Sequence, residues 1–120
     1  MSNPFSYAEL HTKDPAAAKT FYGSLFEWKM SDHPNAVGTY TEIDLGAGFP
    51  AGLLKVAEKA GLGSHWLPYV KVTNVLESTI RAKKLGATVL QDVVEIPEGQ
   101  FSMLTDPTGA PFGLFQPSKG

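Results

Sequence analysis

The chain carries nearly the same seven-residue stretch twice. Residues 48–54 read Gly-Phe-Pro-Ala-Gly-Leu-Leu, and residues 109–115 read Gly-Ala-Pro-Phe-Gly-Leu-Phe. Upstream of each copy lie, in the same order, an alternating strand pattern, a polar helix cap and a helix pattern. Two related half-domains in so short a chain are typical of one body with pseudo-two-fold symmetry and a shared concave surface. The matched positions are Gly48, Pro50, Gly52 and Leu53 with Gly109, Pro111, Gly113 and Leu114.

The first half opens with a strand and a helix. Residues 5–12 alternate and are rich in aromatic side chains, which predicts a strand with its odd-numbered positions on one face. Asp14 then caps a helix over residues 15–27, with Pro15 at the first position, where no backbone donor is needed. The helical spacing predicts one buried face, made of Ala18, Phe21, Tyr22, Leu25 and Phe26.

The rest of the first half reads as strands and a linker. His33-Pro34-Asn35 predicts a turn. Residues 39–45 alternate and residues 51–56 are apolar, so we expect a strand in each. Gly61 and Gly63 then lie in a stretch without apolar periodicity, which predicts a linker over residues 57–64.

The second half repeats the order of the first. A strand over residues 66–72 precedes a helix over residues 75–85, which is capped by Asn74. The predicted inner face of this helix comprises Val75, Leu76, Thr79, Ile80 and Ala82, and the predicted strands after it are 87–96, 100–105 and 111–116. The sequence therefore predicts an α+β fold, with two βαβββ modules forming a pseudo-symmetric curved sheet around a cleft. We interpret residues 1–120 as a single domain, with module one at about 4–56 and module two at about 65–117.

The composition excludes several classes of function. The chain has 120 residues, 42% of them hydrophobic, and a formal net charge of -2. This profile is globular and shows no electrostatic footprint for nucleic acid or an anionic membrane. The absence of cysteine excludes disulfides, thiolate nucleophiles and thiolate metal ligands. Without a membrane-spanning run or a signal peptide, we expect a cytoplasmic protein with no nucleic-acid or membrane partner.

Several short motifs together resemble the vicinal oxygen chelate superfamily, which includes glyoxalase I, bleomycin-resistance proteins and extradiol dioxygenases. The resemblance covers nearly the whole chain and implies a glyoxalase-like domain that forms a homodimer. The motifs are Asp14-Pro15, Phe21-Tyr22, Leu25-Phe26-Glu27-Trp28, Trp66-Leu67-Pro68-Tyr69, Leu85-Gly86-Ala87 and Asp106-Pro107-Thr108-Gly109.

The sequence departs from this family at its metal site. Metal-using relatives place one ligand on the first strand and one on the last strand of each module. The resemblance carries these four positions to Tyr7, Gly52, Leu67 and Gly113. Because a divalent ion needs several converging nitrogen or oxygen donors, we expect no metal at these positions and no cofactor.

The candidate ligand-binding residues follow from strand parity. Glu9 and His11 lie two apart on the first strand, so both point to the same face as Tyr7. Glu9 and His11 could ligate a metal, Glu9 could tune His11 as a general base, or His11 could be bonded to a nearby loop. The internal repeat matches Glu9 with Tyr69 and His11 with Lys71. We therefore predict a ligand-binding set of Tyr7, Glu9, His11, Tyr69 and Lys71, and we assign no catalytic residue.

Three hypotheses of function remain at this point. The first is a protein that binds a small molecule in the cleft between the modules, without a metal at the usual site. The second is a metal-dependent lyase, isomerase or dioxygenase that uses displaced ligands such as Glu9, His11, Glu42 or Asp44. The third is a structural or interaction module whose cleft is filled.

Overall fold

Two βαβββ modules make up the α+β fold, in a computed structural model that describes residues 2–35, 38–57 and 61–118. The first module consists of β1 (Phe5–Thr12), α1 (Pro15–Phe26), β2 (Lys29–Asn35), β3 (Gly38–Asp44) and β4 (Ala51–Lys55). The second consists of β5 (His65–Lys71), α2 (Val75–Lys84), β6 (Thr88–Ile96), β7 (Gly99–Thr105) and β8 (Pro111–Pro117).

The two modules have the same strand order. Counted from the opening strand, the order is β1-β4-β3-β2 in the first module and β5-β8-β7-β6 in the second. The opening strand of each module pairs in parallel with the last strand, at the glycine of the repeated stretch. Glu9 lies opposite Gly52, and Tyr69 lies opposite Gly113. This register supports the matching of Glu9 with Tyr69.

The chain forms two compact units that differ slightly from the modules. One unit is Tyr7–Leu67, and the other comprises the described parts of Met1–Ser6 and Pro68–Gly120. The N-terminal residues belong to the second unit because Lys71 is held by them. Its backbone N–H donates to the Pro4 carbonyl at 2.8 Å, and its carbonyl accepts from the Asn3 side chain at 2.9 Å.

Helix α1 begins as the sequence predicts, but most of its predicted buried face is exposed. The Asp14 carboxylate accepts a hydrogen bond from the backbone N–H of Ala17 at 3.1 Å. Phe21, Leu25 and Phe26, however, are each more than half exposed, so that part of the prediction was wrong. The helix packs on the sheet through the narrower row of Ala18 and Tyr22, beside the core residues Leu10, Ile43, Ala51 and Leu53.

A strand replaces the predicted turn at residues 33–35. The whole of β2 pairs antiparallel with β3, and Pro34 lies opposite Thr39. Proline cannot donate to a sheet ladder, so it is tolerated mainly on edge strands. Because β2 is the outermost strand of its module, Pro34 fits there without breaking the pairing.

Helix α2 packs through a smaller set of residues than its periodicity predicts. Asn74 caps it by accepting from the Glu77 N–H at 3.0 Å. Val75 and Thr79 are buried, whereas Leu76 and Ile80 are about half exposed, which corrects the predicted inner face. The Thr79 hydroxyl donates to the Val75 carbonyl at 2.6 Å and lies 2.8 Å from the Ser102 hydroxyl. Since one hydroxyl carries one proton, Ser102 donates to Thr79.

The remaining expectations concern membrane crossing and the oligomeric state. Within residues 2–35, 38–57 and 61–118, no helix is long and apolar enough to cross a membrane. The homodimer implied by the family resemblance stays a prediction.

The buried pair of hydroxyls in the second module gives a test of its packing. In Thr79→Val, the fully buried Ser102 hydroxyl loses its acceptor, so the free energy of unfolding should fall by about 1–3 kcal/mol. The double variant Thr79→Val/Ser102→Ala removes both polar groups and should be more stable than Thr79→Val alone. Urea unfolding of the wild type, Thr79→Val and the double variant measures this. A double variant that is less stable than Thr79→Val would contradict the assigned hydrogen bond.

Candidate functional site

The buried carboxylate of Glu9 lies in the middle of β1, and each of its two oxygens has a hydrogen-bond partner. Glu9 is 9% exposed and His11 is 6% exposed. The His11 Nε2 atom lies 3.0 Å from Glu9 Oε1, and the Tyr40 hydroxyl donates to Glu9 Oε2 at 2.8 Å. The Tyr7 and Tyr40 hydroxyls also bond to each other. Together Tyr7, Glu9, His11 and Tyr40 form what we call the Glu9 network.

The positions of the protons in the Glu9 network follow from counting donors. An ionised carboxylate only accepts, so His11 must carry its proton on Nε2 to bond Glu9. Tyr40 has one proton and donates it to Glu9, so the Tyr7 hydroxyl donates to the Tyr40 oxygen. A neutral His11 therefore has its lone pair on Nδ1, so Nδ1 is the hydrogen-bond acceptor of this imidazole.

Tyr40 is held in its neutral form. Burial raises the pKa of this phenol far above its ordinary value, and the negative charge of Glu9 and the Tyr7 hydroxyl raise it further. A neutral Tyr40 keeps the proton that it donates to Glu9. The hydroxyl therefore serves as a fixed hydrogen-bond donor to the carboxylate and not as a base.

The Glu9 network depends on the missing side chain of Gly52. A Cβ atom at this position would clash with the Tyr40 hydroxyl and would lie 2.8 Å from the Tyr7 hydroxyl. Gly52 is the partner of Glu9 in the parallel pairing of β1 with β4. The two tyrosine hydroxyls thus meet directly over the backbone of β4, in the space that any other residue would fill.

In the second module a tyrosine ring fills the corresponding space. A Cβ at Gly113 would collide with the ring of Tyr69, which is itself 3% exposed. Tyr69 also meets Phe101 edge to face, with ring centroids 6.1 Å apart. Lys71, by contrast, is exposed. Of the predicted set, Tyr7, Glu9 and His11 are brought together, whereas the placement of Tyr69 and Lys71 at a common site with them stays a prediction.

Sequence reasoning missed two residues next to this site. No spacing in the sequence indicates that the Tyr40 hydroxyl reaches β1. His65 lies outside the predicted ligand-binding set, yet it is half-buried and its ring lies 5.1 Å from that of His11. Its Nδ1 atom donates to the Gly63 carbonyl at 2.8 Å, which leaves the lone pair of the neutral ring on Nε2.

Comparison with known proteins places this chain in a family. The family model described as "Glyoxalase-like domain" matches residues 8–115. The chain belongs to the glyoxalase-like family. It is 32% identical over 119 residues to proteins of Mycobacterium bovis and Mycobacterium tuberculosis, each named "Putative glyoxylase CFP32". The match covers 95% of this chain but 46% of each relative, so the chain spans about half the length of these relatives.

Solved structures show the same fold at low sequence identity. A hypothetical protein from Bacillus halodurans C-125 has a TM-score of 0.72 at 15% identity, covering 100% of this chain and 98% of that one. Methylmalonyl-CoA epimerase from Mycobacterium tuberculosis has a TM-score of 0.67 at 11% identity, covering 96% and 88%. These likenesses confirm the fold of the vicinal oxygen chelate superfamily, which the sequence motifs indicated.

The usual metal positions of the superfamily do not fit an ion in this glyoxalase-like domain. Gly52 and Gly113 have no side chains, and tyrosines fill the space beside both. Leu67 is 1% exposed and offers no donor atom. Tyr7 is bonded to Tyr40. The residues present at these four positions therefore do not form a metal-binding set.

The displaced ligands of the alternative hypothesis do not converge either. Glu42 lies 3.0 Å from His33 on exposed strand positions, and Asp44 accepts from the backbone N–H of Gly46 at 2.8 Å. In the part of the chain that the structure describes, no three His, Asp or Glu side chains group as a metal site. Glu9 and His11 remain as a pair within the Glu9 network.

The close approach at Gly52 gives a sharp test of the site. In Gly52→Ala, the new methyl group must displace Tyr40 and Tyr7, so we expect a loss of roughly 1–3 kcal/mol in the free energy of unfolding. Gly23 in α1 is a matched control because a Cβ there meets no atom within 4 Å. Gly23→Ala should stabilise the protein by roughly 0.5–1 kcal/mol, since glycine is unfavourable within a helix. Equal effects of the two substitutions in urea unfolding would contradict the geometry at Gly52.

Proposed function

We propose that this glyoxalase-like domain binds a small polar molecule at the Glu9 network, without a metal at the usual positions of the superfamily. The observation that carries the proposal is the buried Glu9 carboxylate, which is fixed between His11 and Tyr40 at the place where Gly52 supplies no ligand. Hydrogen-bonding groups thus take the place of a metal-ligand pair on β1 and β4.

The energetic cost of the Glu9 network supports a functional role. Burying a charged carboxylate is unfavourable unless it is paired and hydrogen-bonded. Replacing such a group by an apolar residue of similar size is often neutral or stabilising, so a buried network is weak support for a purely structural role. Ligand sites typically contain a small number of precisely placed polar groups, which fix the orientation of the ligand.

The geometry determines what the Glu9 network can offer to a ligand. Glu9 fixes the orientation of His11 and keeps its Nε2 proton engaged, so a neutral His11 has Nδ1 as its acceptor atom. Such an atom can accept a hydrogen bond from a hydroxyl or amide of the ligand. The site residues support binding and do not single out a reaction. Tyr69 and Lys71 remain proposed members of the ligand-binding set.

The names of related proteins suggest alternative functions for this chain. The mycobacterial relatives are named glyoxylases, and several fold neighbours are epimerases of methylmalonyl-CoA. A metal-dependent reaction in this chain would need ligands other than Tyr7, Gly52, Leu67 and Gly113. We therefore keep a metal-dependent enzyme as the outcome that would overturn the proposal.

A ligand-induced thermal shift across a panel of polar metabolites tests the proposal. A molecule that binds only the folded state raises the melting temperature. For each hit, calorimetry then compares the wild type with Glu9→Gln and with Glu42→Gln. Glu42 is the matched control because its carboxylate also bonds a histidine but is exposed. We expect Glu9→Gln to weaken binding about tenfold or more, because the charged acceptor that orients His11 is lost, and Glu42→Gln to bind like the wild type.

Stability and metal dependence are measured on the same proteins. Glu9→Gln should lower the melting temperature because Tyr40 loses a charged acceptor, so binding is compared well below the transition of every variant. Binding that survives removal of metals by a chelator supports the proposal. It would be overturned by binding that requires added Zn²⁺ or Mn²⁺, by equal affinities of the two variants, or by a panel without any hit.

A further inference from the structure

A cavity of the first unit lies where the parallel strands β1 and β4 end. It has a volume of about 340 Å³ and is lined by Lys13, Lys55, Val56, Ala57, Gly61, Leu62 and Gly63. Lys13 directly follows β1, and Lys55 ends β4, where it lies opposite Thr12. The pairing of the two strands therefore brings two lysines to the same cavity.

Among the described residues that line this cavity, two are positively charged and none is negatively charged. Neither Lys13 nor Lys55 forms an ion pair within residues 2–35, 38–57 and 61–118, and the seven lining residues include no acidic side chain. Each ammonium group offers three hydrogen-bond donors on a flexible stem. Two such groups beside one concave surface are suited to an anion.

The loop that closes the cavity is fixed to the end of β1. The backbone N–H of Lys13 donates to the Ser64 hydroxyl at 2.9 Å, and His65 donates to the Gly63 carbonyl at 2.8 Å. Gly61 and Gly63 have φ values of 63° and 68°, and a Cβ at Gly63 would first meet the Lys13 side chain, at 3.8 Å. The glycines thus leave the backbone beside the lysines uncovered by side chains.

From these observations we propose that the cavity between Lys13, Lys55 and the Gly61–Gly63 loop binds a phosphate group. A phosphate dianion matches the two positive charges, whereas a carboxylate carries only one. The volume lies within the lower range of small-molecule sites, so the cavity admits a phosphate and part of the molecule that carries it. The described residues that line this cavity include no member of the Glu9 network, and the proposal does not depend on the function proposed for that network.

Titration with inorganic phosphate, followed by two-dimensional amide NMR at constant ionic strength, tests this site. We expect saturable shifts of the Gly61 and Gly63 amide signals. The double variant Lys13→Gln/Lys55→Gln should bind phosphate about tenfold more weakly, because it loses both charged contacts. Lys83→Gln/Lys84→Gln is the matched control, since these lysines are exposed on α2 and should leave phosphate affinity unchanged.

Further titrations identify the source of the phosphate and distinguish binding at this cavity from binding at the Glu9 network. Glycerol phosphate that binds more tightly than inorganic phosphate indicates a phosphorylated small molecule, and equal affinities indicate the free anion. Glu9→Gln should bind phosphate like the wild type. The proposal is overturned if phosphate causes no more shift than sodium chloride of equal ionic strength, if the two lysine double variants weaken binding equally, or if acetate binds as tightly as phosphate.

Discussion

The missing side chain at Gly52 is the constraint on which the candidate site depends. Only because this position has no Cβ can the hydroxyls of Tyr7 and Tyr40 meet over β4. Tyr40 then reaches Glu9 and supplies the second hydrogen bond of the buried carboxylate. Without the bond from Tyr40, the free-energy cost of burying the Glu9 charge would be considerably higher.

The two modules share a glycine on the last strand, but different side-chain groups occupy the space beside it. In each, a glycine on the last strand pairs with an inward residue of the opening strand, and a tyrosine fills the vacated space. In the first module the filling group is a pair of hydroxyls that hold Glu9. In the second it is the ring of Tyr69, which packs against Phe101. The repeat therefore preserves shape while the polar groups are concentrated in the first module.

The sequence predicted the order of the elements because caps, turns and periodicity agree along most of the chain. It failed where one rule opposed another. Pro34 favoured a turn, but an edge strand tolerates proline, so β2 continues through it. The apolar spacing of α1 favoured a wide buried face, but the sheet contacts only the row of Ala18 and Tyr22.

The candidate site was only partly predictable. Strand parity brought Glu9 and His11 to one face, because that property depends on neighbouring residues alone. The reach of Tyr40 across Gly52 depends on the register of β3 with β4 and on a side-chain direction, and neither is encoded in local spacing. The contact between His65 and His11 likewise joins residues more than fifty positions apart. The ligand itself leaves no pattern in the sequence.

The tautomer of His11 tests most directly whether Glu9 is the acceptor at the centre of the Glu9 network. If Glu9 is an ionised acceptor held by Tyr40, neutral His11 must carry its proton on Nε2 and donate it to the carboxylate. Long-range ¹H–¹⁵N NMR correlations of the imidazole ring distinguish the two tautomers. We expect the Nε2–H form in the wild type. A wild-type His11 in the Nδ1–H form would contradict it.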